Sequence, residues 1–289
     1  MKVVDLDGEL DLARTEEPVR GLVIPPCPAL LTALQKEMRQ ADPDPAEVTR
    51  IAASDVALAA ALLRFANSPY FARARPAQTV AEAVAMLGTG QAAAILTAGL
   101  ARHAIRVYPP VVEHFWDTSM RRSLAMAHMA RQLYGVDAEL AQTCGLFLHL
   151  GIPVLLQGVP GYADTLTEAV ARRDRGFTET ERATHRTDHA VVGAIVARSW
   201  RLPSVIVHAI RLHHDYALLR NASIPTEVRT LVALAAVAEH LVSDFERATP
   251  QREWERHGAS CLNYLQIGMA EVDVWVDALQ PLFEGMLLA

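Results

Sequence analysis

Helix-start signals followed by apolar residues at helical spacing recur along most of the chain, and this pattern constrains the fold most. The segment "ADPDPAEVTRIAAS" offers Asp44 as an N-cap with Pro45 at the first helical position. The segment "TVAEAVAMLG" opens with a capping box formed by Thr79 and Glu82. No segment alternates apolar and polar residues between hairpin signals. The sequence therefore predicts an all-α fold of about a dozen helices.

Further local signals predict where individual helices begin and end. In "SDVALAAALLRFANS", Ser54 is expected to cap a buried helix, and Asn67 to end it in the left-handed conformation. Gly88 is expected to close the following helix, and Pro109-Pro110 to mark a soft division between two lobes. Residues 1–20 are acidic with little apolar periodicity, which predicts a disordered lead-in.

Composition argues against several classes of function. The net charge of −6, without a Lys/Arg stripe, argues against nucleic acid as a partner. No apolar run approaches the roughly 20 residues that cross a bilayer, and "MKVVDLDGEL" lacks the features of a secretion signal. A cytoplasmic protein without membrane contact is therefore expected. Cys27, Cys144 and Cys261 are odd in number and far apart, which predicts reduced thiols.

The histidines are the residues best suited to metal binding or acid–base chemistry, because neutral imidazole is the commonest protein ligand for transition metals. Four lie inside or at the end of apolar helices, and an aspartate precedes one of them: His149, Asp188, His189, His213 and His214. The four histidines could present three or four imidazoles to one cavity. Alternatively, each could pack in the core with its ring nitrogens hydrogen-bonded to nearby groups. His185 and His189 have metal-binding i, i+4 spacing, but a helix start at Thr187-Asp188 is expected to separate them.

Several residues along the chain form a specific set: Asn67-Ser68, Asp188-His189, Gly193, Trp200, Leu202-Pro203 and His213-His214. Together with the segments around them, they resemble the HDOD domain, a bacterial signalling module related to the HD phosphohydrolases. The likeness runs from about residue 22 to 216, and it implies an all-α, two-lobed helical bundle. One lobe would reach to about residue 109 and an HD-like lobe would follow to 220, with C-terminal helices 221–289 packing on the HD-like lobe.

Metal-dependent HD relatives hold cations with a first histidine, a His-Asp dyad, further histidines and a late aspartate, and the metal activates water. By this resemblance the dyad here reads His149-Leu150, and leucine has no lone pair for a metal. No histidine stands at residues 118–122, and Ala236 or a neighbour occupies the place of the late aspartate. Arg186 stands where the family commonly has a glycine. The resemblance therefore implies a degenerate site with no catalytic residue.

The expected function is that of a non-enzymatic bacterial signal-transduction scaffold, which binds other signalling proteins or changes shape with a ligand. A homodimer is compatible with this interpretation, and no cofactor or metal is required, although a three-imidazole zinc site stays open. One alternative is a divergent metal-dependent phosphohydrolase that uses the remaining histidines. Another is a nucleotide sensor in which Arg121, Arg122 and the histidines contact the anion.

Overall fold

The computed structural model describes residues 5–71, 75–105, 114–172, 174–247 and 252–287, and none of these residues forms a strand. The all-α prediction is confirmed. Short 3₁₀-helices cover Val19–Gly21 and Tyr216–Arg220. The α-helices are α1 (Leu6–Thr15), α2 (Ala29–Met38), α3 (Pro45–Ala53), α4 (Val56–Ala66), α5 (Val80–Leu87), α6 (Thr89–Ala104), α7 (Phe115–Ala130), α8 (Ala138–Phe147), α9 (Gly151–Gly158), α10 (Tyr162–Ala171), α11 (Phe177–His185), α12 (His189–Ser199), α13 (Ser204–Leu212), α14 (Thr226–Phe245), α15 (Arg252–Leu265) and α16 (Met269–Leu287).

The chain divides into two compact units. The histidine-bearing unit comprises Met1–Pro25 and Val107–Val272, and the alanine-rich unit comprises Pro26–Arg106 and Asp273–Ala289. The predicted marker Pro109-Pro110 lies outside the described residues. The prediction that residues 221–289 pack on the second lobe is wrong for most of α16, which belongs to the alanine-rich unit from Asp273 onward. Near the end of α16, a Cβ atom on Gly285 would lie 3.4 Å from Ser68 Cβ of the same unit. Buried residues recur at helical spacing along α16: Val272, Trp275, Leu279, Leu282 and Phe283.

Residues 5–15 are ordered, so the predicted disorder of residues 1–20 is wrong for this stretch. Leu6 and Leu10 of α1 are buried one turn apart, and α1 packs on α12. An Arg198 Nη2 atom lies 2.7 Å from Asp11 Oδ1, and Arg211 Nε donates to Glu9 Oε1 at 2.9 Å. Acidic residues that suggested disorder in isolation are thus matched by arginines from distant helices.

Capping residues in the alanine-rich unit largely follow the sequence. Asp44 accepts a hydrogen bond from Ala46 N at 2.8 Å, and the Thr79/Glu82 capping box is present. The cap of α4 is Asp55 rather than the predicted Ser54, because the Ser54 hydroxyl instead donates to Ile51 O at 2.6 Å. Gly88 has φ +81, and α5 and α6 meet there at 117°.

The helix that ends at Asn67 does not end in the predicted left-handed conformation, since Asn67 has φ −94. Its amide instead bonds twice to the backbone of Ala77. Asn67 Nδ2 donates to Ala77 O at 3.0 Å, and Ala77 N donates to Asn67 Oδ1 at 2.7 Å. The side chain therefore cross-links the end of α4 to the segment that leads into α5.

Asn67→Ala is expected to lower the free energy of unfolding by about 1–3 kcal/mol, because it leaves both backbone groups of Ala77 without this partner. Urea denaturation followed by circular dichroism measures the change. The matched control is Asn263→Ala on the exposed side of α15, which should stay within about 0.5 kcal/mol of wild type. Equal losses for the two variants would contradict the cross-link.

One helical stretch, Ala138–Gly158, is long and apolar enough to cross a membrane by length and composition. The expectation that no apolar run approaches bilayer length is therefore too strict. Of the most apolar window, 72% is buried inside the protein. The stretch comprises α8, α9 and the turn between them, and it packs as core, with α8 against α7 and α9 against α12.

Candidate functional site

The structure brings together all four histidines that the sequence singled out. His149 lies in the turn between α8 and α9, His189 begins α12, and His213 and His214 follow the end of α13. One ring nitrogen from each lies within 4.8 Å of the other three. His189 Nε2 is central to this imidazole cluster. It lies 3.1 Å from His149 Nδ1, 3.2 Å from His213 Nε2 and 3.1 Å from His214 Nε2.

A close approach of two backbones positions His149 beside His189. A Cβ atom on Gly151 would lie only 2.0 Å from His189 O and 2.7 Å from Gly193 N. Only glycine at position 151 lets α9 and α12 come this close. Because His149 stands two residues before Gly151, this contact places its ring next to that of His189.

Asp188 was a candidate site residue, but its carboxylate caps the start of α12 and does not contact the imidazole cluster. Asp188 Oδ1 accepts from Val191 N at 2.9 Å, and Oδ2 accepts from Arg182 Nη1 at 2.7 Å. The predicted break between His185 and His189 is confirmed, and His185 Nε2 instead lies 2.8 Å from Thr165 Oγ1.

The residue in the family's glycine position takes up the conformation that glycine would adopt. Arg186 has φ 58 at the end of α11. A left-handed conformation costs a residue with a Cβ atom roughly 1–2 kcal/mol. The turn before Asp188 is thus retained at some cost in stability.

The outer nitrogen of each ring in the imidazole cluster contacts an oxygen acceptor. Three of these acceptors are glutamates and one is a backbone carbonyl. Because carboxylates and carbonyls only accept, each contact assigns the ring hydrogen to the outer nitrogen when the imidazole is neutral. The pairs are His149 Nε2 with Glu239 Oε1, His189 Nδ1 with Glu181 Oε2 at 2.8 Å, His213 Nδ1 with Ile210 O at 2.6 Å, and His214 Nδ1 with Glu253 at 2.7 Å.

Sequence reasoning missed the three glutamates. Glu239 lies on α14, one turn beyond Ala236, which the resemblance placed at the position of the late aspartate. The signal that could have found it is its place directly after the apolar, buried run 231–238 of α14. Glu181 and Glu253 lie on α11 and α15 among other charged residues, so their sequence neighbours gave no comparable signal.

Glu181 is itself held in place from the other side. Its side chain is fully buried, and it accepts hydrogen bonds from Tyr162 OH and, at 3.3 Å, from His189 N. Burial and the adjacent Glu181 charge raise the pKa of Tyr162 well above its usual value. Tyr162 therefore stays a neutral donor, and the chain Tyr162–Glu181–His189 fixes the orientation of the His189 ring.

The rings differ in protonation. Burial, followed by Arg122 and the neighbouring histidines, lowers the pKa of His149 well below its usual value. Burial, followed by the adjacent imidazoles, does the same to His213. Burial acts to lower the pKa of His214, but Glu253, Glu239 and Glu181 together outweigh it and the pKa rises to about 9. In the absence of a bound cation, His214 thus carries a positive charge near neutral pH.

Arg121 and Arg122 do not offer free cations for a nucleotide. Both are buried on α7. Arg121 Nη1 donates to Glu246 Oε1 at 2.7 Å. Arg122 Nη1 donates to Gly145 O at 3.2 Å, and its Nε lies 3.5 Å from Glu239 Oε1. The guanidinium groups are engaged within the protein, which removes the support for their predicted role as anion contacts.

Comparison with known families agrees with this arrangement. A family profile described as the HDOD domain matches residues 24–216, about two thirds of the chain. The chain belongs to the HDOD domain family. The profile spans all four histidines of the imidazole cluster, whereas Glu239 and Glu253 lie beyond its end.

Individual relatives of this HDOD protein are distant in sequence, and the solved structures among them are similar in fold. An uncharacterized protein of Treponema pallidum (strain Nichols) is 26% identical over 265 residues, which are 91% of this chain and 50% of that protein. The chain thus spans about half the length of this curated relative. An HDOD domain protein with unknown function from Geobacter sulfurreducens has 20% identity and a TM-score of 0.75, covering 99% and 100% of the two chains. A protein from Shewanella amazonensis SB2B, provisionally named a phosphohydrolase, has 21% identity and a TM-score of 0.70, covering 99% of each chain.

The metal centre of the HD phosphohydrolases does not fit the residues of this HDOD protein. Leu150, which the resemblance places at the position of the dyad aspartate, is fully buried, and its side chain has no oxygen that could bind a metal. In the part of the chain that the structure describes, the converging atoms are four ring nitrogens, and the nearby glutamates hold the outer nitrogens instead. Hydrolytic sites for hard cations need carboxylate ligands facing the metal.

Proposed function

We propose that this HDOD protein is a non-enzymatic regulator in bacterial cytoplasmic signal transduction, acting by binding other proteins or by a ligand-dependent change of shape. The observation that carries the proposal is the orientation of the carboxylates. Glu181, Glu239 and Glu253 hold the outer nitrogens of the imidazole cluster, and Leu150 stands where a dyad aspartate would face a metal. A water-activating centre needs carboxylate ligands or an open coordination position.

Proteins are the proposed partners, because the HDOD resemblance implies signalling partners and the charge disfavours nucleic acid. The net charge is −6. A second copy of the chain in a homodimer is one such partner, and no cofactor is needed for this role. Affinity capture with the full tagged chain in its native cell tests the proposal. Specific enrichment of signalling proteins is expected, and no enrichment over an unrelated tagged helical protein would contradict it.

Hydrolysis assays distinguish this proposal from the phosphohydrolase alternative, which the convergence of the histidines and the provisional name of the Shewanella amazonensis protein favour. Mononucleotides and cyclic dinucleotides are offered to the purified chain with Mg²⁺, Mn²⁺ or Zn²⁺. We expect no turnover above the metal-only background. Metal-dependent turnover that disappears in His149→Ala but persists in His103→Ala, a variant of an exposed histidine, would overturn the proposal.

A further inference from the structure

We infer that His149, His189, His213 and His214 form a closed four-imidazole site for one borderline divalent transition-metal ion, of which Zn²⁺ is the probe. Such a site goes beyond the proposed regulatory role and does not depend on it. Four independent features of the site lead to this inference: its lone pairs, distances, charge and ligand type.

The first feature is the placement of the ring hydrogens. Each neutral ring uses its N–H on the outer side, toward Glu239, Glu181, Glu253 or Ile210 O. When all four rings are neutral, their inner nitrogens are bare acceptors that face one another at separations as short as 3.1 Å. An extra proton on one ring can bridge only one such pair at a time. A single metal ion between them would satisfy all four lone pairs together.

The second feature is the separation of the inner nitrogens. A Zn–N bond of about 2.0–2.1 Å corresponds to nitrogens about 3.3 Å apart in a tetrahedral site. His189 Nε2 lies 3.1, 3.2 and 3.1 Å from its three neighbours. No pair is wider than 4.8 Å. Modest rotations of the rings would bring the wider pairs to tetrahedral spacing.

The third feature is the charge around the imidazole cluster. The carboxylates of Glu181, Glu239 and Glu253 contribute three negative charges, and their side chains are 0%, 12% and 28% exposed. Arg122, whose Nε lies 3.5 Å from Glu239, contributes one positive charge. With all four rings neutral, as metal binding requires, the remaining charge of −2 matches a divalent cation. Such carboxylates behind metal-binding imidazoles also raise the basicity of the ligand nitrogens.

The fourth feature is the type of ligand. Mg²⁺ and Ca²⁺ select oxygen ligands, whereas imidazole suits Zn²⁺, Ni²⁺, Cu²⁺ and related ions. Four protein ligands around zinc are typical of structural sites, because they leave no position for water or substrate. The ion would join the α8–α9 turn, the start of α12 and the end of α13.

Metal titration of the full-length chain tests the site directly. Chelator-treated protein is titrated with Zn²⁺ against a competing indicator, and metal content is measured after desalting. We expect one equivalent of zinc per chain, a thermal midpoint that rises with free Zn²⁺, and no such rise with Mg²⁺. Co²⁺ should give the visible absorption of a tetrahedral nitrogen site. Absence of stoichiometric zinc at micromolar concentration would overturn the inference. A proton shared among the rings would then account for the short distances between the inner nitrogens.

Variants locate the metal and supply a matched control. His214→Ala and His149→Ala are expected to lose stoichiometric zinc while circular dichroism shows retained helix. Glu253→Gln keeps the side-chain volume and should weaken zinc binding roughly 10- to 100-fold, so it tests the site even where a histidine variant does not fold. Glu255→Gln, an exposed glutamate on the same helix, should bind like wild type. Equal zinc affinity for Glu253→Gln and Glu255→Gln would overturn the inference.

Metal content and turnover separate the two proposals. One equivalent of zinc without hydrolysis supports both. Zinc with metal-dependent hydrolysis keeps the metal site and overturns the non-enzymatic role. No zinc and no hydrolysis overturns the metal site and leaves the regulatory role supported.

Discussion

Leu150→Asp is expected to destabilise the protein severely rather than restore a phosphohydrolase. Leu150 is fully buried at the start of α9, so the substitution forfeits about 1.5–3 kcal/mol of apolar burial. A buried carboxylate without a partner adds a further cost of several kcal/mol, or takes up a proton instead. The total approaches the 5–15 kcal/mol that stabilises a typical folded domain.

Urea denaturation of Leu150→Asp beside two controls measures this effect. Leu150→Met conserves volume and should cost less than about 1.5 kcal/mol. Leu12→Asp changes a leucine that is 62% exposed and should stay within about 0.5 kcal/mol of wild type. A Leu150→Asp protein of wild-type stability that hydrolyses a nucleotide would contradict the account, because it would show an aspartate accommodated as a metal ligand.

Gly151→Val is expected to separate α9 from α12 and to destroy the imidazole cluster. The new Cβ atom would meet His189 O at 2.0 Å and Gly193 N at 2.7 Å. Both are backbone atoms, so the clash cannot be relieved by rotating a side chain. Overpacking of this kind costs typically 1–3 kcal/mol and occasionally more, and we expect a loss of about 3 kcal/mol or more here.

Two measurements follow the effect of Gly151→Val. Urea denaturation gives the free energy of unfolding, and zinc titration is carried out under conditions where circular dichroism shows that the variant is still folded. Zinc affinity should fall together with stability, because His149 is displaced from His189. Gly21→Ala is the control, since a Cβ atom there meets nothing closer than 3.6 Å. Wild-type stability and zinc affinity in Gly151→Val would contradict the close approach of the two helices.

Local chemistry explains what could be predicted from the sequence. Asp44 with Pro45, and Thr79 with Glu82, specify helix starts through contacts within a few residues, and the structure contains both. At the start of α4 two neighbouring residues could serve as the cap, and the sequence did not decide between Ser54 and Asp55.

Contacts between distant residues explain what could not be predicted. Glu239 and His149 are 90 positions apart, so no spacing rule links them, although His149 itself was a candidate. The order of α1 likewise depends on Arg198 and Arg211, which lie 187 and 202 positions from their acidic partners. A run of acidic residues looks disordered until the fold supplies the matching cations.

Metal content and phosphodiester hydrolysis, measured on the same purified sample, test the central claim most directly. The account predicts one equivalent of zinc per chain, lost in His214→Ala, and no hydrolysis of mononucleotides or cyclic dinucleotides above the metal-only background. Metal-dependent turnover that His149→Ala abolishes would contradict it, because the imidazole cluster would then be an active site rather than part of a regulator.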